Sequence, residues 1–296
     1  MKRTYNHQGR SIYIYIEQNV SKNVDTDTTW DGIIILEKPV YVYNNATLTI
    51  KENTLIKCKE DTALIICKDG KLIAEGKRDR CIEFVPYQND TIWQGIKLLG
   101  FTGETKFEFF EELVTPTVIN NSIIYQASPE NFEQVISKNK DAFRKGGDGI
   151  SNYNVLKYIK VVQAGENLRD TNAITGYQAS GEMENIFVVD AGDDGIEFFA
   201  GDINLTNAVI IGSGDDNLDT DNNYTGLITT VFAFSNGDEL STSSGKYDLE
   251  LEGGNFGNYI DFIYKTFNPK GITPAESVNY RESFVKLNNT LSMYRS

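Results

Sequence analysis

The chain has 296 residues, of which 42 are acidic and 28 basic, for a net charge of −14. That balance excludes nucleic acid or an anionic membrane surface as a partner held by bulk charge, and no apolar run approaches the length needed to span a bilayer. With 16 Tyr, 16 Phe and only 6 Pro, the composition is that of an aromatic, β-rich globular protein, far too apolar to stay disordered.

Residues 1–29 read as an N-terminal strand and cap. From Ser11 to Ile16 the chain alternates, with Ile12, Ile14 and Ile16 on one face and Tyr13 and Tyr15 on the other. This is not the continuous apolar core of a signal peptide and no lipidation cysteine follows, so nothing there directs export. The strand either covers the first coil or pairs with a neighbouring chain, which makes Ile12, Tyr13 and Tyr15 interface candidates.

Over residues 30–100 short apolar runs recur every seven to ten residues: Ile33–Leu36, Val40–Tyr43, Leu48–Ile50, Leu55–Cys58, Ala63–Cys67, Leu72–Ala74, Cys81–Val85 and Ile96–Leu99. Asn44-Asn45, Lys51-Glu52-Asn53, Asp69-Gly70 and Gly76 supply the turns between them. Three such runs make one turn of a triangular coil. Cys58, Cys67 and Cys81 are odd in number and lack a CxxC spacing, which predicts free thiols rather than a disulfide framework or a zinc site. His7 is the single histidine, so His-based triads and His metal clusters are excluded. Trp30 and Trp93, each in a Trp-x-Gly-Ile setting, either stack on sugars or lie buried at coil corners.

Residues 101–150 break the pattern and read as a lateral insertion. Phe107, Phe109 and Phe110 lie in an acidic stretch and are further interface candidates. Ser128 at the N-cap and Pro129 at the first helical position predict a short helix with Phe132, Val135, Ile136 and Phe143 as its apolar stripe. Gly146-Gly147-Asp148-Gly149 lacks the Lys-Ser/Thr pair of a phosphate loop.

The coil resumes over residues 151–240, first with Val155–Val162, and Ala164-Gly165 and Ala191-Gly192 read as equivalent corners. From Val188 to Leu240 the chain repeats at a step of 22 residues, carrying Gly192-Asp193-Asp194, Gly214-Asp215-Asp216 and Gly237-Asp238. This places Asp194, Asp216 and Asp238 in register, along with Ile196, Leu218 and Leu240, and with Val188, Ile210 and Phe232. Residues 241–296 serve as a C-terminal cap and tail. The expected fold is all-β: a right-handed parallel β-helix, a solenoid of eight to ten coils with about 22 residues in each.

Ala46-Thr47-Leu48-Thr49-Ile50, Gly70-Lys71-Leu72-Ile73-Ala74-Glu75-Gly76, Cys81-Ile82-Glu83-Phe84 and Trp93-Gln94-Gly95-Ile96 resemble the opening coils of a family of β-helical surface lipoproteins common in Bacteroidetes. Gly192-Asp193-Asp194-Gly195-Ile196-Glu197 and Gly214-Asp215-Asp216-Asn217-Leu218-Asp219-Thr220-Asp221 match its second half in order. The resemblance covers residues 30–240 and implies a right-handed parallel β-helix without bringing an established activity. The secretion signal and lipidation cysteine of that family, and its uninterrupted coil, are where this sequence departs.

Equivalent residues on successive turns of a parallel coil lie about 4.8 Å apart, so the acidic corners predict a line of carboxylates. Like charges that close raise one another's pKa or call for a cation. Hard oxygen ligands at this density suit Ca²⁺, which makes Asp193, Asp194, Asp215, Asp216, Asp219 and Asp221 candidate metal ligands. The alternative is that Asp after Gly caps backbone amides of the next turn. Catalysis is the third reading, since paired carboxylates about 5 to 9.5 Å apart hydrolyse glycosides. Asp215-Asp216 superficially resembles the acidic motif of polygalacturonases, but their Gly-His-Gly and Arg-x-Lys are missing, and the acidic repeats contain no Arg or Lys to serve a Ca²⁺-dependent lyase. No catalytic residue is assigned.

The functional expectation is a non-enzymatic structural or adhesive β-helix, a phage virion component such as a capsid decoration or a tail or fibre protein, assembled in the host cytoplasm. Its expected partners are other virion or surface proteins and further copies of itself. No cofactor is required, and Ca²⁺ is the ion the corners suit. The rival is a cell-surface or extracellular protein that binds or cleaves glycans with its Asp-rich corners.

Overall fold

The computed structural model describes residues 2–7, 10–15, 17–67, 69–89, 91–100, 114–119, 122–127, 153–166, 171–199, 201–220, 224–234 and 249–251. Strands β1 (Lys2–His7) and β2 (Arg10–Tyr15) form an antiparallel hairpin, and β3 (Glu17–Val20) is the first strand of the coil. The coil thus begins inside the segment read as a cap. Three turns of three short strands follow: β4 (Thr28–Trp30), β5 (Ile33–Leu36) and β6 (Val40–Val42); β7 (Thr47–Ile50), β8 (Leu55–Cys58) and β9 (Leu64–Ile66); β10 (Lys71–Glu75), β11 (Ile82–Pro86) and β12 (Ile96–Leu99). A second antiparallel hairpin, β13 (Val114–Ile119) with β14 (Ser122–Ala127), forms a sheet of its own. Each later turn has one long strand and one short: β15 (Asn154–Val162) and β16 (Ile174–Tyr177), β17 (Gly181–Val189) and β18 (Ile196–Phe199), β19 (Asn204–Ile211) and β20 (Leu218–Thr220), β21 (Ile228–Phe234) and β22 (Leu249–Leu251).

The described coil strands pair in parallel, as a right-handed β-helix requires. The first half of β15 continues the ladder of β4, β7 and β10, and its second half continues that of β3, β5, β8 and β11. One residue makes this bend possible. Tyr158 takes a left-handed φ of 53°, and Asn185, Asn207 and Thr230 do the same on the turns above at 57°, 56° and 58°. Asn tolerates that region best among residues with a Cβ, and Asn207 Nδ2 donates to Asn185 Oδ1 at 3.5 Å. The third ladder is seven-stranded: β6, β9, β12, β16, β18, β20, β22.

Alternation along each strand sends Leu48, Ile56, Leu72, Phe84, Ile186, Phe198 and Ile210 inward to a continuous core. Rings stack in the core, Phe84 on Trp93 at 6.0 Å and Phe198 on Tyr224 at 5.0 Å between centroids. Cys58, Cys67 and Cys81 are free thiols. Burial pushes Cys67 up to about 12 and Cys81 up to about 11, so neither is a thiolate at neutral pH.

The expected regularity is corrected in two respects. Among the described residues a turn averages about 24 residues, close to the 22 expected, and the turns are fewer than the eight to ten expected. Strand residues keep their register while corners change length, so paired residues lie 22 apart from β17 to β19 and 31 apart from β20 to β22. Two register assignments also change. Leu218 pairs with Leu249 rather than Leu240. Ile210 pairs with Ala233, while Phe232 pairs with Val209. A shift of one residue turns a side chain to the other face of a sheet, and Phe232 accordingly joins Phe187 and Val209 in an outward cluster. The helix expected from Ser128, the aromatics Phe107, Phe109 and Phe110, and Asp221, Asp238 and Leu240 lie outside the described residues.

Candidate functional site

The chain enters the third ladder through a tight corner. Ile96, Ile174, Ile196 and Leu218 are successive partners in that ladder, so the residues two places earlier, Gln94, Asn172, Asp194 and Asp216, form a column at the corner. Backbone packing sets its tightness: the N–H of Gly192 donates to Ala164 O at 2.8 Å, and that of Gly214 donates to Ala191 O at 2.9 Å. Side chains then stitch one turn to the next. Asp194 N–H donates to Asn172 Oδ1 at 3.0 Å, and Asp216 N–H donates to Asp194 Oδ1 at 2.8 Å, each across 22 residues. Lower in the column, Thr171 Oγ1 donates to Gln94 Oε1 at 2.8 Å. One structural task is thus performed by an amide at 172 and by a carboxylate at 194.

Further carboxylates crowd this column. Asp193, Asp194 and Asp215 bring oxygens within 4.8 Å of one another, and so do Asp194, Glu197 and Asp219. Asp193, Asp194, Asp216 and Glu197 are only 4–8% exposed. Burial pushes the Asp194 carboxyl well above the usual carboxylate range; Asp193, Asp219 and Asp216 add to the rise, and the Asp216 N–H opposes it. A folded-state pKa above the unfolded one means that the folded chain holds the extra proton. Stability then falls as pH rises from about 4 through the folded-state pKa, and the full penalty applies above it. Asp194→Asn keeps the acceptor for Asp216 N–H and removes the buried charge, so we expect a higher unfolding midpoint at neutral pH in chelator. Asp194→Ala strands that N–H and lowers stability by about 1–3 kcal/mol. Thermal melts of both variants from pH 4 to 8 check this, and a midpoint for Asp194→Asn below that of the native chain at pH 7 would contradict it.

The outward face of the same ladder carries a second column, Lys97, Thr175, Glu197 and Asp219. Lys97 is 2% exposed and Thr175 fully buried. Lys97 Nζ donates to Thr175 Oγ1 at 3.1 Å and to the Asn172 carbonyl at 3.3 Å, and Asn172 Nδ2 donates to the Glu197 carboxylate. The acidic repeats contain no basic residue, yet the fold supplies one from β12, on the far side of the insertion. Asn172, Glu197 and Lys97 were all outside the candidate set. Alternation around Ile96 was the available signal, because it sets Lys97 on the outward face.

The structure brings together Asp193, Asp194, Asp215, Asp216 and Asp219 of the candidate ligands. Ile12, Tyr13 and Tyr15 lie on β2, which pairs within its own chain, Tyr13 opposite Thr4 and Tyr15 opposite Lys2. Trp30 and Trp93 are 1% and 0% exposed, and Trp93 Nε1 donates to Val162 O at 3.0 Å, which leaves neither ring a face for sugars. Chemically, the corner offers hard oxygens to a cation and side-chain acceptors to the backbone N–H groups of the next turn.

No curated protein matches the chain, and no solved structure does. Residues 131–261, which include every acidic corner, match a family described as a pectate-lyase-like beta helix domain.

Proposed function

We propose that the chain is a non-enzymatic structural or adhesive β-helix in which the acidic corner ties turn to turn. One observation carries this reading: Asp194, 8% exposed, uses Oδ1 to accept the backbone N–H of Asp216 on the next turn. A carboxylate committed in this way holds the scaffold together and is poorly placed to meet a polymer. The finer form of the proposal puts the rod in an assembled particle, as a phage capsid or tail component, with other virion or surface proteins or copies of itself as partners. Recovery at fixed stoichiometry from purified particles is the outcome that placement requires. Ca²⁺ held by Asp193, Asp194 and Asp215 belongs to the same proposal as a structural ion.

A second reading has its own support. Lys97 stands in the column of Glu197 and Asp219, and a base beside a cation site, in a chain whose match is named for pectate lyase, suits cleavage of acidic glycans. One experiment separates the two. The full chain is incubated with polygalacturonate and with alginate, with Ca²⁺ and with chelator, and its melting is followed in parallel. The structural reading expects no new chain ends, and a midpoint raised by Ca²⁺, worth about 2.7 kcal/mol at roughly a hundredfold excess over Kd. Depolymerisation that Asp216→Asn abolishes without lowering the midpoint would sink it. Equal midpoints with Ca²⁺ and with chelator would remove the structural ion.

A further inference from the structure

Basic and acidic residues are spread unevenly along the chain. Residues 1–16 contain Lys2, Arg3 and Arg10 and no acid, in a chain of net charge −14. They build the β1–β2 hairpin, where Lys2 and Arg3 pair with Tyr15 and Ile14 at the base and His7 pairs with Arg10 at the turn. Residues 171–245 are the converse, with thirteen acids and no Lys or Arg. Earlier turns balance their surface acids, Glu17 with Lys57 at 2.9 Å, Glu37 with Lys59 at 2.9 Å and Glu83 with Lys160 at 3.2 Å. On the later turns Asp202 is exposed and Glu184 half-buried at the surface.

We propose that two copies of the chain pair reciprocally, the β1–β2 hairpin of each docking on the acidic turns of the other. The hairpin is the element that needs a partner. Its strands form a sheet of their own, and an isolated two-stranded hairpin is marginal in water. Opposite charge selects the surface it meets, and distance selects the copy. Only Ile16 separates β2 from β3, while β17 and β21 stand five and seven strands beyond β3 in the ladder, about 24 and 34 Å away at the spacing of strands. A hairpin of six-residue strands is about 20 Å long. Lys2 and Arg3 lie at its base, so they fall well short of the later turns of their own coil. An antiparallel neighbour brings them there twice, since a two-fold axis that sets one hairpin on its partner's turns sets the other likewise. Two contacts made together hold far better than either alone.

This deepens the structural reading, on which it rests, by naming a second copy as the partner.

Sedimentation velocity of the full chain in chelator, with salt at about 0.1 M and about 1 M, reads the assembly, because the screening length falls from about 10 Å to about 3 Å between them. A dimer is expected at low salt and a monomer at high salt. Reversing the hairpin with Lys2→Glu, Arg3→Glu and Arg10→Glu, or the turns with Glu184→Lys and Asp202→Lys, should abolish the dimer and leave melting at high salt as in the native chain. Should the turn reversal melt lower, Glu184→Gln with Asp202→Asn takes its place and should weaken the dimer. Mixed in equal amounts, the two reversed variants should dimerise again, since each hairpin then meets turns of opposite charge. A native chain that is monomeric at low salt overturns the proposal. So does a dimer that survives the hairpin reversal, or a pair of reversed variants that stays apart in the mixture. Assembly beyond two copies marks head-to-tail stacking and overturns the reciprocal pairing. None of these outcomes touches the structural reading, which stands or falls on depolymerisation.

Discussion

Gly192→Ala is expected to lose more than about 3 kcal/mol of stability, enough to abolish a cooperative transition near the native midpoint. A Cβ at 192 would stand 2.1 Å from the carbonyl oxygen of Gly165 and 2.5 Å from its carbonyl carbon. Both are backbone atoms, so no rotamer relieves the contact. The turns could only separate, which breaks the hydrogen bond from Gly192 N–H to Ala164 O. Gly214 stacks the same way, with its Cβ position 2.1 Å from Gly192 O, so the disturbance travels up the corner. The Gly before each acidic pair is therefore required by space, independently of what the acids do. Urea melts followed by far-UV circular dichroism check this, and a midpoint equal to that of the native chain would refute the account of the corner.

Trp93→Ala should cost about 3–5 kcal/mol. Its ring is fully buried, stacks on Phe84, and bonds through Nε1 to Val162 O, so truncation opens a cavity and strands a carbonyl at once. Trp93→Phe restores part of the volume but leaves Val162 O without that donor, and should fall between. Tyr87, 40% exposed, provides the contrast: Tyr87→Ala should move stability by no more than about 0.5 kcal/mol. Chemical denaturation of the three variants gives the order. Equal midpoints for Trp93→Ala and Tyr87→Ala would mean that Trp93 holds no part of the core together.

Strand positions were legible because short strands need an apolar face and turn formers on both sides. Ile33–Leu36, Leu55–Cys58 and Ile96–Leu99 coincide with β5, β8 and β12. The bend inside β15 was not legible, since Tyr158 gives no sign of a left-handed φ and no Gly, Asn or Pro interrupts Val155–Val162. Register failed where corner length changed: a fixed step of 22 leads to Leu240, whereas the ladder continues at Leu249. At the corner, charge made Asp194 and Asp216 conspicuous, but the stitch needs only an acceptor oxygen. Asn172 does the same work unseen because it carries no charge, although it lies one step of 22 residues before Asp194. Lys97 was hidden by the insertion, which puts it next to Thr175 in space and far from it in sequence.

One turn of the coil is much longer than the others. Leu72 N–H bonds to Asn154 Oδ1 across 82 residues, where the turns on either side pair residues 24 and 27 apart. By loop entropy the difference is small, about 1 kcal/mol, but contacts of high sequence separation form late. The chain is in effect two nuclei. Turns before Gly100 and turns after Tyr153 can each zip from local contacts, and joining them at β10 and β15 is the step that waits. Speed of folding is therefore decided at a single seam, where the two half-coils meet.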